Sequence, residues 1–242
     1  LGMSAIRSLH LEKVFEYNEK GKISDEVLKS FYMRLPCLEK AIEEVEKASG
    51  IGYPPIFFDP VLRIISYPAA EYSNNVIYAR WNIRQFGEGY RLCVDISLPF
   101  LLYAPEETLR ACIAHEFLHY VFITLAIGNK QLMSLSSDGV DVPEVHTLFD
   151  ETQTVKAEDW LDSKELCGMV QKVFSPIVKE HNLERSIKER WIELGLPSMK
   201  ISADENSIKI PIVEIDRLPL DGKIFERAKN RPQSAIPKGQ VF

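Results

Sequence analysis

His115-Glu116-Phe117-Leu118-His119 sets two histidines four residues apart, with a glutamate directly after the first. On an α-helix, residues four apart share a face one turn from each other, so both imidazoles can reach one ion. Glu116 then lies about 100° away around the axis, beside the ion rather than on it. This is the HExxH arrangement of a helical zinc site. Zinc takes neutral imidazole nitrogens at about 2.0–2.1 Å, and a catalytic site supplies three protein ligands and leaves one position for water. The pKa of that water falls toward about 7, and the ion polarises a carbonyl. A neighbouring carboxylate takes the proton and passes it to the leaving amine. The chemistry within reach is hydrolysis of an amide bond.

The surroundings sharpen this reading. From Ala111 to Ile127 nearly every side chain is apolar, and the main exceptions are His115, Glu116 and His119. An unpaired carboxylate in such a segment is costly to bury or takes up a proton. A dication held by the two histidines would compensate it. The purely structural alternative satisfies the histidines by hydrogen bonds and pairs Glu116 with an arginine such as Arg110.

CIAHEFLHYVF (112–122) resembles the active-site helix of the zincin metallopeptidases. The strand-like YRLCVDISL (90–98) before it resembles the edge strand that runs beside the substrate cleft in that superfamily. The resemblance covers about residues 76–165. It implies one zinc ion per chain held by His115 and His119, Glu116 as general base, and a peptide or protein substrate. The metzincin extension is absent, because Val121 and Phe122 follow where a glycine is required, and no histidine stands within ten residues after His119. The gluzincin-like pattern instead takes a glutamate from a later helix, followed four residues on by aspartate. Glu158-Asp159-Trp160-Leu161-Asp162 fits it, with Glu158 as third ligand and Asp162 placed to orient a ligating histidine. Glu151, His146 and Glu144 compete for the same role. Glu158, preferred, shares with Asp162 the inward helical face of Val155 and Leu148, and Glu151 shares that face too.

Several elements must position these residues. Pro105 with Glu106 and Glu107 opens the motif helix, and Gly128-Asn129 closes it. Residues 76–98 read as a β-hairpin around Gly87-Glu88-Gly89, with Leu92, Val94 and Ile96 on one face. VLRIISY (61–67) is a further strand. Residues 4–49 read as helical, with Ser24 capping one helix and Pro36 opening another that Gly50 ends. After the motif comes a polar loop over 128–142. A helix from Pro143 to about Leu166 is expected to carry the third ligand. Another spans 164–181, and Asn182 caps the next, which Gly195 ends. The expected fold is α+β, a zincin-like domain with a small antiparallel sheet and an active-site helix. An N-terminal helical extension covers 1–50, the metallopeptidase domain 51–200, and an extended C-terminal tail 201–242.

Composition excludes some alternatives. The chain has 242 residues and a net charge of −6, so no basic field points to nucleic acid. The apolar run at 111–127 is near the lower length limit of a membrane span but holds three ionisable groups, which argues for a buried core helix. The four cysteines form no CxxC pair and read as reduced thiols. With no leader-like segment, the expectation is a cytoplasmic protein. Trp81, Trp160 and Trp191 are assigned to the core and Tyr120 to packing. The rival reading is a non-catalytic zinc-binding or regulatory module whose tail covers the cleft.

Overall fold

A computed structural model describes residues 9–66, 74–134, 145–148, 154–174, 181–202, 208–211 and 215–230. The first half holds β1 (Leu9–His10), α1 (Glu12–Glu19), α2 (Asp25–Ser49), β2 (Ile56–Asp59), β3 (Leu62–Ser66), β4 (Asn74–Val76), β5 (Ala79–Phe86) and β6 (Gly89–Ser97). Then follow α3 (Leu98–Tyr103), the motif helix α4 (Glu106–Gly128), β7 (Met133–Ser134), β8 (Val145–Leu148), α5 (Ala157–Trp160) and α6 (Lys164–Phe174). The last elements are α7 (His181–Glu193), β9 (Ser198–Ser202), β10 (Ile208–Pro211) and α8 (Gly222–Lys229). The architecture is mixed α+β.

Helix α4 has almost no polar face: apart from Arg110 and His115, every residue from Thr108 to Ile127 is buried. A helix apolar all round cannot lie on a surface, so other elements must enclose it. α2, α5, α6 and α8 do so. The same core takes in Leu92, Val94 and Ile96 from one face of β6. Among the described residues, one helix, Glu106–Gly128, is long and apolar enough to cross a membrane, but 83% of its apolar window is buried within the fold.

The main sheet has the order β1-β2-β6-β5. β1, β2 and β6 run parallel, and β5 is antiparallel to β6, with Trp81 opposite Val94. The hairpin turn is Gly87-Glu88, and the φ of +59° at Gly87 is one that glycine adopts without strain. Two carboxylates on this sheet are held by cations. Asp95 accepts from Arg84 at 2.7 and 2.8 Å, and Asp59 accepts from Lys13 at 2.9 Å and from Arg63. Two smaller sheets, β4-β3-β9 and β10-β8-β7, complete the β structure.

Several expectations need correcting. The main sheet is mixed rather than antiparallel, because β2 docks parallel to β6. The strand resembling the cleft-side edge strand, β6, lies between β2 and β5, and the outer strand is β5. Residues 145–148, expected in a helix, form β8, paired antiparallel with β10 and β7. The Ile208–Ile210 alternation supplies the partner from about sixty residues away, and pairing at that range overrides local helical periodicity. Pro36 opens no new helix but lies inside α2, which runs unbroken over 25 residues. In the tail expected to be extended, 201–242, β10 is extended but α8 is a helix, and Ile210 and Ile224 are fully buried. The N-terminal helices share the central core through Val14, Phe31, Leu38 and Ile42.

The docking of α8 against the end of α4 is tight enough to test. A Cβ added at Gly128 would come within 2.4 and 2.5 Å of the Phe225 ring. Gly128→Ala should therefore cost about 1–3 kcal/mol by denaturant unfolding. The cost should largely vanish in a Phe225→Ala background; additive losses would show that α8 does not dock there. Asp59 gives a second test. Burial raises its pKa, but the Lys13 and Arg63 hydrogen bonds outweigh this, and the net shift is downward. A lowered folded pKa stabilises above the unfolded value of about 3.9 and is lost as pH falls through the folded one. Asp59→Asn should cost about 1–3 kcal/mol at pH 7, with the gap to wild type narrowing below about pH 4. A gap independent of pH would contradict this.

Candidate metal centre

The middle of α4 delivers both histidines to one point. The Nε2 atoms of His115 and His119 stand 3.0 Å apart, and the rings meet edge to face at 4.5 Å. Two imidazole nitrogens bound to one tetrahedral ion at about 2.0–2.1 Å would be separated by about 3.3 Å, so the pair is close to ligating geometry. Among the described residues, His115, Glu116 and His119 are the one group of His, Cys, Asp and Glu able to hold a metal ion, with ligand atoms all within 4.8 Å of one another. His119 is 6% exposed and Glu116 7%.

Burial and, secondarily, the neighbouring His119 push the pKa of His115 down to about 3. The ring is neutral near pH 7, which is the form that coordinates a metal. It is also oriented: its plane stacks on Phe174 at the end of α6, 4.0 Å between centroids and 6° between planes.

Glu116 faces the sheet. The indole Nε1–H of Trp81, on β5, donates to its Oε2 at 2.8 Å. Trp81 in turn stacks on Tyr120, with centroids 5.7 Å apart and planes 9° apart. Burial, then the charge of Asp221, raises the Tyr120 pKa to about 12, which leaves it a neutral packing partner near pH 7. Nearby, the Tyr53 hydroxyl donates to the Ile113 carbonyl at 3.0 Å and ties the loop after α2 to the motif helix. Its pKa is raised well above the ordinary value by burial and then by the charge of Glu116. Arg110, the arginine of the purely structural alternative, is engaged elsewhere, by Glu44 at 2.7 Å and Glu165 at 2.9 Å.

Of the third-ligand candidates, Glu158 is not part of this cluster. Glu158 is exposed on α5, and its carboxylate accepts a hydrogen bond from Gln171. Gln171 lies on α6, the helix whose Phe174 stacks on His115. Asp162 accepts from Arg227 at 3.0 Å. His146 is on β8, opposite Ile210 and Ser134. Glu144 and Glu151 lie outside the described residues.

Trp81 is the site residue that sequence reasoning placed in the core. Two signals pointed to it: a buried indole N–H seeks an acceptor, and a buried carboxylate seeks a donor.

The donor set, two imidazoles and a carboxylate in a largely buried setting, fits a divalent transition metal. Comparison with models of protein families, with curated proteins and with solved structures finds no match to this chain.

If stacking on Phe174 orients His115, Phe174→Ala should weaken Zn²⁺ binding about tenfold in competition with a chromophoric chelator, while the circular dichroism spectrum is kept. Unchanged affinity would show that the ring does not set the ligand.

Proposed function

We propose that this protein is a zinc-dependent metallopeptidase of zincin type, with His115 and His119 as zinc ligands and Glu116 as general base. The observation that carries this reading is the convergence of the two Nε2 atoms, 3.0 Å apart, beside a carboxylate buried in an apolar helix. Zinc bound there supplies Lewis acidity toward a substrate carbonyl and lowers the pKa of water. The residues of the chain do the rest. The imidazoles would hold the ion through their Nε2 atoms, and α4 keeps them in register. Glu116 accepts a proton from the attacking water and delivers it to the departing amine. The apolar shell keeps the local dielectric low, which strengthens each electrostatic contact. Glu158 is our choice for the third ligand: it keeps the gluzincin-like spacing to Asp162, and its partner Gln171 lies on α6, the helix whose Phe174 stacks on His115.

Zinc analysis of protein purified without added metal or chelator tests the ligands. About one zinc per chain is expected for wild type, falling by at least tenfold in His115→Ala and His119→Ala. Loss in Glu158→Ala as well assigns the third ligand, whereas retention there with loss in Glu151→Ala or His146→Ala reassigns it. Glu116→Gln should keep its zinc and lose peptidase activity by about 100-fold or more against an unbiased peptide library. Zinc-loaded wild type that cleaves nothing in such a library would favour a non-catalytic zinc module instead.

A further inference from the structure

The indole of Trp81 bears directly on the carboxylate of Glu116. A glutamate has three rotatable side-chain bonds, so burial alone does not fix where its oxygens point. A base is effective only when its oxygen is held within hydrogen-bond reach of the proton it takes. In this fold the constraint comes from the sheet. Trp81 sits on β5 opposite Val94, on the core-facing side with Ala79. It is 7% exposed, and Tyr120 lies flat against its ring. Its Nε1–H reaches Oε2 at 2.8 Å. A hydrogen bond to a charged acceptor is stronger than one between neutral groups, and in a low dielectric it is stronger still. The donor is rigid at both ends, through the strand backbone and the Tyr120 stack.

From this geometry we infer that Trp81 is a positioning residue for the general base. Its indole N–H holds Oε2 of Glu116 and so fixes the plane of the carboxylate that exchanges the proton. The inference rests on the peptidase reading above, in which Glu116 is the base. It goes beyond the metal ligands because it makes a residue on the outer strand of the described sheet part of the catalytic arrangement. The other two tryptophans are placed differently: Trp191 donates to the Pro197 carbonyl at 2.8 Å, and Trp160 lies under the Arg227 guanidinium.

The test has two arms on the full chain. In the first, protein labelled with ¹⁵N-tryptophan gives three indole cross-peaks, one per tryptophan. The peak missing in Trp81→Phe is expected to move upfield in Glu116→Gln while the other two stay in place. An unmoved peak overturns the contact. In the second arm, zinc content and kinetics are measured on the same preparations. Trp81→Phe should keep its zinc and lose kcat by about 10- to 100-fold, with KM within about twofold. A merely structural role would change zinc content and KM as well. Replacing Trp81 with benzothienylalanine removes the N–H but keeps the ring shape and the stack on Tyr120, so it decides the matter if Trp81→Phe folds poorly. Full kcat in either variant, with wild type active, overturns the positioning role and leaves the peptidase reading intact. A zinc-loaded wild type inactive on every substrate overturns that reading, and the catalytic role of Trp81 with it, whatever the indole peak does.

Discussion

A carboxylate 7% exposed in the middle of a helix with no polar face is the constraint around which this molecule is organised. The low dielectric that makes Glu116 costly to bury also gives any counter-charge or donor beside it unusual strength. The fold answers with a fixed donor, the Trp81 indole, and with two imidazoles whose Nε2 atoms converge where a dication could be held. Neither answer works on a helix free to shift. α4 must therefore be enclosed, and the rest of the architecture follows: helices pack around it, and the main sheet adds one face to the same core.

Distant parts of the chain take part in that enclosure. Tyr53, just after α2, anchors to the Ile113 carbonyl. Phe174 on α6 backs His115. Phe225 on α8 lies where a side chain at position 128 would have to go, and Asp221, which caps α8, is near enough to influence Tyr120. The motif spans five residues, but its geometry depends on contacts from residue 53 to residue 225. Such long-range dependence gives a cooperative unit in which a local change at the wall of the site reaches the ligands.

The parts that were legible from sequence share one property: their signal is local. The histidine spacing, the all-apolar run and the turn glycine at position 87 each lie within a few residues, and the motif helix and the hairpin stand where they pointed. What misled was decided at a distance. Residues 145–148 are β because Ile208–Pro211 arrives as partner. Pro36 is tolerated inside α2, where burial of Phe31, Leu38 and Ile42 along one helix outweighs the missing backbone donor. Trp81 lies in the core as read, and its further contact, the indole N–H to Glu116, shows only once the two are known to lie opposite. Burial of Ile224 and Ala228 turns a segment rich in turn signals into a helix of the core.

The central claim is that His115 and His119 together hold a zinc ion, and X-ray absorption at the zinc K-edge on the purified protein tests it most directly. The account predicts a four- or five-coordinate shell of nitrogen and oxygen at about 2.0–2.1 Å, with outer-shell scattering from two imidazoles that is lost in the His119→Ala variant. A six-oxygen shell without imidazole scattering, or a spectrum identical in that variant, would contradict it.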